Sequence, residues 1–102
     1  MRHIDQHWLV RADIEEAYRW YEQQQPGLGR RFNTEVRAVL RRLCADSLDF
    51  AVRFADIRRA NLPSFPYGVF YFLTEDAVVV IGVLHGARDS QEELERRRNR
   101  NR

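Results

Sequence analysis

The chain has 102 residues, 44% hydrophobic and 31% charged, with one cysteine and no lysine, so that all 17 basic residues are arginine. Such a chain closes one modest core rather than two, carries no apolar run near the roughly 20 residues that span a bilayer, and begins MRHIDQHWLV without the apolar stretch of a secretory leader; one cytoplasmic domain over residues 1–102, with no membrane contact, is the expectation. The net charge of +2 is a terminal effect: residues 1–49 hold eight arginines and eight acids, residues 50–95 four and seven, and the tail 96–102 five arginines and no acid.

Residues 3–9 are short and mixed, an edge strand at most. From Ala12 the period changes, and Ile14, Ala17, Tyr18 and Tyr21 form one apolar helical stripe, with Asp13, Glu15 and Glu16 at the positive end of the helix dipole. Pro26, Gly27 and Gly29 break the pattern. A second stripe at Phe32, Val36, Val39, Leu40 and Leu43 predicts a helix to about Ala45, antiparallel to the first. Cys44 falls in this pattern and has no disulfide partner, which reads as a reduced small core residue. Arg30, Arg31, Arg37, Arg41 and Arg42 give the helix a basic face, interrupted by Glu35 and Asp46, for which solvation is the default.

Phe54–Leu62 reads as one strand, with Arg58 and Arg59 facing opposite sides. Pro63 and Pro66 mark a link outside central pairing. Val69–Leu73 and Ala77–Leu84, rich in β-branched and aromatic residues, flank the polar Thr74-Glu75-Asp76 turn as a hairpin. Its strands are apolar on both faces, and two helices cover only one; the other is wrapped by a terminus or kept for a partner. A final helix from about Ser90 to Arg97 has Leu94 as its only large apolar residue and is expected to fray without a partner. The arrangement is α+β: a β-α-α-β-β-β order with a short C-terminal helix, in which the helical hairpin packs on a curved, mostly antiparallel sheet.

His85 and Arg88 stand three residues apart where the last strand stops, either to contact a phosphate, since histidine can move a proton near neutral pH, or as strand cap and ion-pair partner. Trp20 lies off the main stripe of its helix, as an interface anchor or as peripheral core. Tyr67, with Phe65 and Pro66, fixes the entrance to the hairpin or takes part in recognition. The Arg96, Arg97 and Arg98 run is a solvated end or a screened contact to nucleic acid or an acidic protein. No zinc spacing, phosphate-binding glycine loop, CxxC or Ser–His–Asp pattern occurs, so no metal and no cofactor are expected. Without lysine there is no Schiff-base chemistry, and bond chemistry would have to be phosphodiester cleavage assisted by arginine and histidine.

Taken in order, Ala12-Asp13-Ile14-Glu15 with Trp20-Tyr21-Glu22, Gln25-Pro26-Gly27-Leu28-Gly29 with Arg31-Phe32 and Glu35-Val36, Ile57-Arg58-Arg59, Phe65-Pro66-Tyr67 with Tyr71, and Val83-Leu84-His85 with Arg88-Asp89 resemble the RelE/ParE superfamily of bacterial type II toxins over about residues 11–97. The resemblance implies a toxin neutralised by a cognate antitoxin whose C-terminal segment wraps it, and which reaches operator DNA only indirectly, through that antitoxin. RelE-like members cut mRNA on the ribosome with a basic cluster; ParE-like members lack it and poison DNA gyrase. Here no basic residue lies between Phe65 and Ile81, which favours the ParE-like branch. His85, Arg58 and Arg88 would be catalytic in the ribosome-dependent mRNA endoribonuclease alternative. As a gyrase inhibitor acting by protein contact, the chain would present Trp20, Arg59, Tyr67, Arg88, Arg96, Arg97 and Arg98 to partners.

Overall fold

In the computed structural model, which describes residues 2–86 and 91–99, the first apolar stripe forms α1 (Val10–Gln24) and the second α2 (Leu28–Asp46). The N-terminus of α1 lacks the usual Ser, Thr or Asp cap. His7 replaces it: its Nδ1 accepts from the Leu9 N–H at 3.0 Å and its carbonyl from the Val10 N–H at 3.0 Å. The His7 ring is buried and stacked on Trp8, and burial, reinforced by the charge of Arg97, lowers its pKa below 6.5. The reversal between the helices places Gly27 at φ +90°, open to glycine at no steric cost. The Glu22 carboxylate accepts from the N–H groups of Gly27 (2.9 Å) and Gly29 (3.0 Å), serving donors that α2 cannot satisfy itself.

The strands β1 (His3–Gln6), β2 (Val52–Phe54), β3 (Ile57–Asn61), β4 (Tyr67–Leu73) and β5 (Ala77–His85) form one sheet in the order β1-β5-β4-β3-β2. β1 runs parallel to β5 and the other pairings are antiparallel. The single strand expected across Phe54–Leu62 is a tight hairpin instead. Ala55 makes the turn at φ +52°, a left-handed position where sequence reading looks for Gly or Asn.

Alternation across β4 holds as expected. Val69, Tyr71 and Leu73 pack with Val78, Val80 and Val83 beneath the helices, while Phe70 and Phe72 join Val79, Ile81 and Leu84 on the other face. A bulge interrupts β5: Phe70 pairs with Gly82 but Tyr71 with Val80, leaving Ile81 as the extra residue. Tyr71 is fully buried, and its hydroxyl donates to the Ser47 carbonyl at 2.6 Å; burial pushes its pKa up to about 12.

The second face is wrapped by a terminus, α3 (Gln91–Asn99). Leu94 is fully buried there, so close to Gly82 that a Cβ at Gly82 would lie 2.9 Å from its methyl. Arg97, expected on a solvated or partner-facing end, is turned inward and only 7% exposed. It donates from Nη1 to Asp13 Oδ2 (2.7 Å) and to the Ile81 carbonyl (3.0 Å), and from Nε to Glu93 (2.8 Å). Asp13 Oδ2 also accepts from the Val83 N–H at 3.1 Å. Arg98 lies 3.6 Å above the Phe72 ring and pairs with Asp56 at 2.8 Å. Charge contacts thus hold a helix that its one leucine would leave frayed. No helix among the described residues is long and apolar enough to cross a membrane.

Folded His7 resists protonation while the unfolded residue takes a proton near 6.5. Below that pH the unfolded state therefore binds more protons, and stability falls until the lowered folded pKa is passed. Urea unfolding between about pH 7 and pH 5 should show this decline. It should be shallower in a His7→Asn variant, which keeps an acceptor but no titrating ring.

Candidate functional site

Tyr21, Phe32, Phe65 and Tyr67 pack ring against ring: Tyr21 meets Phe65 edge-on at 4.7 Å and stacks on Phe32 at 5.6 Å, and Phe32 meets Tyr67 at 5.1 Å. Burial raises the Tyr21 pKa. This aromatic wedge joins the helical hairpin to the start of β4 and holds Tyr67 where the sheet ends. His85 is directly opposite Tyr67 in the β4–β5 register, half-buried, with ring centroids 5.3 Å apart.

Outside the wedge a groove of about 810 Å³ runs between α1 and this end of the sheet. Trp20 forms its outer wall, 56% exposed and edge-on to Tyr21 at 5.1 Å; Pro66, Tyr67 and His85 form the opposite side. Glu15, Glu16, Arg19 and Gln23 complete the rim. Glu15 lies 3.4 Å from Arg11 and 3.7 Å from Arg19, so part of the rim charge is neutralised within α1. An aromatic floor, an exposed indole wall and a mixed-charge rim suit apolar side chains of another polypeptide.

The residues singled out from sequence separate into distinct places. Trp20, Tyr67 and His85 share the groove. Arg58 is on the same face of the sheet as Tyr71, four residues along β4 from Tyr67 and so about 13 Å from the His85 end at about 3.3 Å per residue. Its Nη1 donates to the Phe50 carbonyl at 2.6 Å, holding the Ser47–Asp49 turn against the sheet together with Tyr71. Arg59 faces the other side, over the Phe70 ring at 5.3 Å, with Nε donating to Asn61 Oδ1 at 2.6 Å. Burial, and then the nearby charge of Arg53, lower its pKa.

Arg96 pairs with Glu93 at 2.8 Å, Arg97 and Arg98 are engaged as described, and Arg88 lies outside the described residues. With Arg96 and Arg97 donating to it, Glu93 is held down at about 2. Sequence reading missed the groove rim and Asp13. Helical spacing carried a signal for the first, because Glu16 and Gln23 stand four before and three after Trp20 on one face of α1. Nothing local marks Asp13 as the partner of a residue 84 positions away.

The sequence and the fold match a known toxin class. Residues 4–90 match the family model described as the ParE toxin of the type II toxin-antitoxin system, parDE. Toxin ParE2 of Mycobacterium tuberculosis, in strains CDC 1551/Oshkosh and ATCC 25618/H37Rv, is 33% identical over 86 residues, covering 83% of this chain and 82% of the relative. A solved structure described as the chromosomal ParDE TA system from P. aeruginosa shares the fold with a TM-score of 0.74 at 12% identity, over 83% of this chain and 96% of that one. The chain belongs to the ParE toxin family, the ParE-like branch of the RelE/ParE superfamily, and its partner is a cognate antitoxin.

The wall and the floor of the groove should differ in what they contribute to folding. Trp20→Ala, at an exposed position, should change the unfolding free energy by less than about 1 kcal/mol. Tyr21→Ala, which removes the ring touching Phe32, Phe65 and Tyr67, should cost about 3 kcal/mol. Urea unfolding of the two variants checks the contrast.

Proposed function

We propose that this toxin blocks replication in the cytoplasm by binding DNA gyrase, acting through protein contact rather than bond chemistry of its own, and that its antitoxin restrains it by laying a segment into the groove beside Trp20. The observation carrying this reading is the separation of His85 from Arg58. His85 sits beside Tyr67 in a groove built to receive side chains, whereas Arg58 is tied to the Phe50 carbonyl farther along the sheet. A phosphodiester bound at His85 would find Arg58 about 13 Å away and tied to a backbone carbonyl, and so would lack that guanidinium for its developing charge. Membership in the ParE family supports the gyrase target.

Within this reading Trp20 and Tyr67 are the apolar anchors, while Arg59, Arg88, Arg96 and Arg98 are peripheral contacts. Arg97 leaves the contact set because it is buried against Asp13. Truncation of residues 96–102 would remove that ion pair together with the tail and would measure unfolding as much as binding.

Antitoxin-free protein added to gyrase, supercoiled plasmid and ATP should yield linear plasmid after protease treatment, and the yield should fall with Trp20→Ala. Absence of linear plasmid from folded protein, together with cleavage of ribosome-bound mRNA that His85→Ala abolishes, would overturn the reading in favour of the nuclease.

A further inference from the structure

The arginines of this chain divide by what they touch. On α1, Arg11 and Arg19 pair with Glu15, and on α3, Arg96, Arg97 and Arg98 all have carboxylate partners. Arg30, Arg31, Arg37 and Arg41 of α2 have no ion pair among the described residues, and Arg42 lies over the Phe50 ring at 4.8 Å with none either. The acid in the middle of this face is engaged elsewhere: Glu35 Oε1 accepts from the Ser64 N–H at 3.0 Å. Glu22 accepts from the Gly27 and Gly29 N–H groups and also attracts Arg30 at the N-terminal end of the ridge. Glu35 and Asp46 keep their charge, and five arginines against these two acids leave the face an exposed cationic ridge. From Arg30 to Arg41 it runs about 16 Å at 1.5 Å per residue.

We propose that the outer face of α2 binds the phosphate backbone of double-stranded DNA. The other side chains exposed along the ridge are small, Thr34 and Ala38, because Phe32, Val36 and Leu43 are buried beneath the helix. The hollow of about 300 Å³ on this face is lined by Gly27, Arg30, Arg31, Thr34 and Glu35, with no aromatic or large aliphatic side chain, so an acidic peptide folding onto it would gain little from apolar anchors. A polyanion needs only fixed cations, since neutralising phosphates releases counterions. Between Arg30 and Arg41 no aromatic ring is exposed for single-stranded bases to stack on, and Phe50 beyond lies against Arg42. Among duplexes, the B-DNA major groove and its flanking strands admit a helix, whereas the RNA major groove is too deep and narrow.

The test uses the full-length, antitoxin-free protein, a fluorescein-labelled duplex of about 20 base pairs and anisotropy at roughly 50 to 200 mM salt. The logarithm of the binding constant should fall with that of salt at a slope of about −4, from four or five contacts. Arg37→Gln/Arg41→Gln should flatten the slope by about 2 and weaken binding on the order of 100-fold at the low-salt end. Arg11→Gln/Arg53→Gln, removing equal charge away from α2, should leave the slope unchanged.

The proposal is overturned by absence of salt-dependent binding, by an α2 variant that binds like the parent, or by equal losses in the matched-charge variant. It is also overturned if Arg100→Gln/Arg102→Gln accounts for the binding, or if polyglutamate competes as well as DNA. Because the assay holds only this protein and DNA, its failure and a failure to trap gyrase are separate results.

Discussion

A carboxylate from the first helix and a guanidinium from the last finish the edge of β5 where β1 stops. β1 pairs with β5 only from Ala77 to Val80. Beyond that point the Ile81 carbonyl and the Val83 N–H would face the protein interior without a strand, at a cost of several kcal/mol if left unpaired. Arg97 donates to the first and Asp13 accepts from the second, and the two bond each other at 2.7 Å. Their side chains are 7% and 9% exposed, so each is the other's principal neutraliser. One contact thereby ties α1, β5 and α3 together, while the aromatic wedge holds the far part of α1 against the Tyr67 end of the sheet.

The exclusive use of arginine fits this construction. At Arg58 and Arg97 a planar fork reaches backbone carbonyls from a fixed direction, and at Arg98 it lies flat on an aromatic ring while pairing with Asp56. An ammonium on a flexible stem serves those geometries less well. Several guanidinium groups thus act as mortar between elements. Arg30, Arg31, Arg37 and Arg41 of α2 do not, and the charge they present to solvent distinguishes that helix from α1 and α3. Groove and ridge lie on different surfaces of the helical hairpin, the first lined from α1 and the second carried on α2.

The helical hairpin and the β4–β5 hairpin were legible in the sequence because their signals are periodic: Phe32, Val36 and Leu43 recur at helical spacing and are all buried, and Val69 and Tyr71 alternate with Phe70 and Phe72 across the sheet. The β2–β3 hairpin was not, since its turn falls on Ala55 with neither Gly nor Pro to mark it. The docking of α3 was illegible for a different reason. Leu94 alone predicts fraying, and the groups that prevent it, Asp13 and Glu93 on Arg97, include one from the opposite end of the chain. Of the candidate site, Trp20, Tyr67 and His85 were visible as residues, and their meeting in one groove required the fold. Arg58 carried a chemical expectation that only its bond to the Phe50 carbonyl redirects to structure.

The measurement bearing most directly on this account is a double-mutant cycle by urea unfolding with Asp13→Ala, Arg97→Ala and the pair. Arg97→Ala leaves the Asp13 carboxylate buried without its partner and should cost about 3–5 kcal/mol, and Asp13→Ala, after which Arg97 keeps Glu93 alone, should cost about 2–3 kcal/mol. The double variant should cost less than their sum by about 2 kcal/mol, within the range for residues in direct contact. Losses that add to within about 0.5 kcal/mol would mean the two side chains act independently, and would contradict the claim that their contact holds the first helix, the last strand and the last helix in one unit.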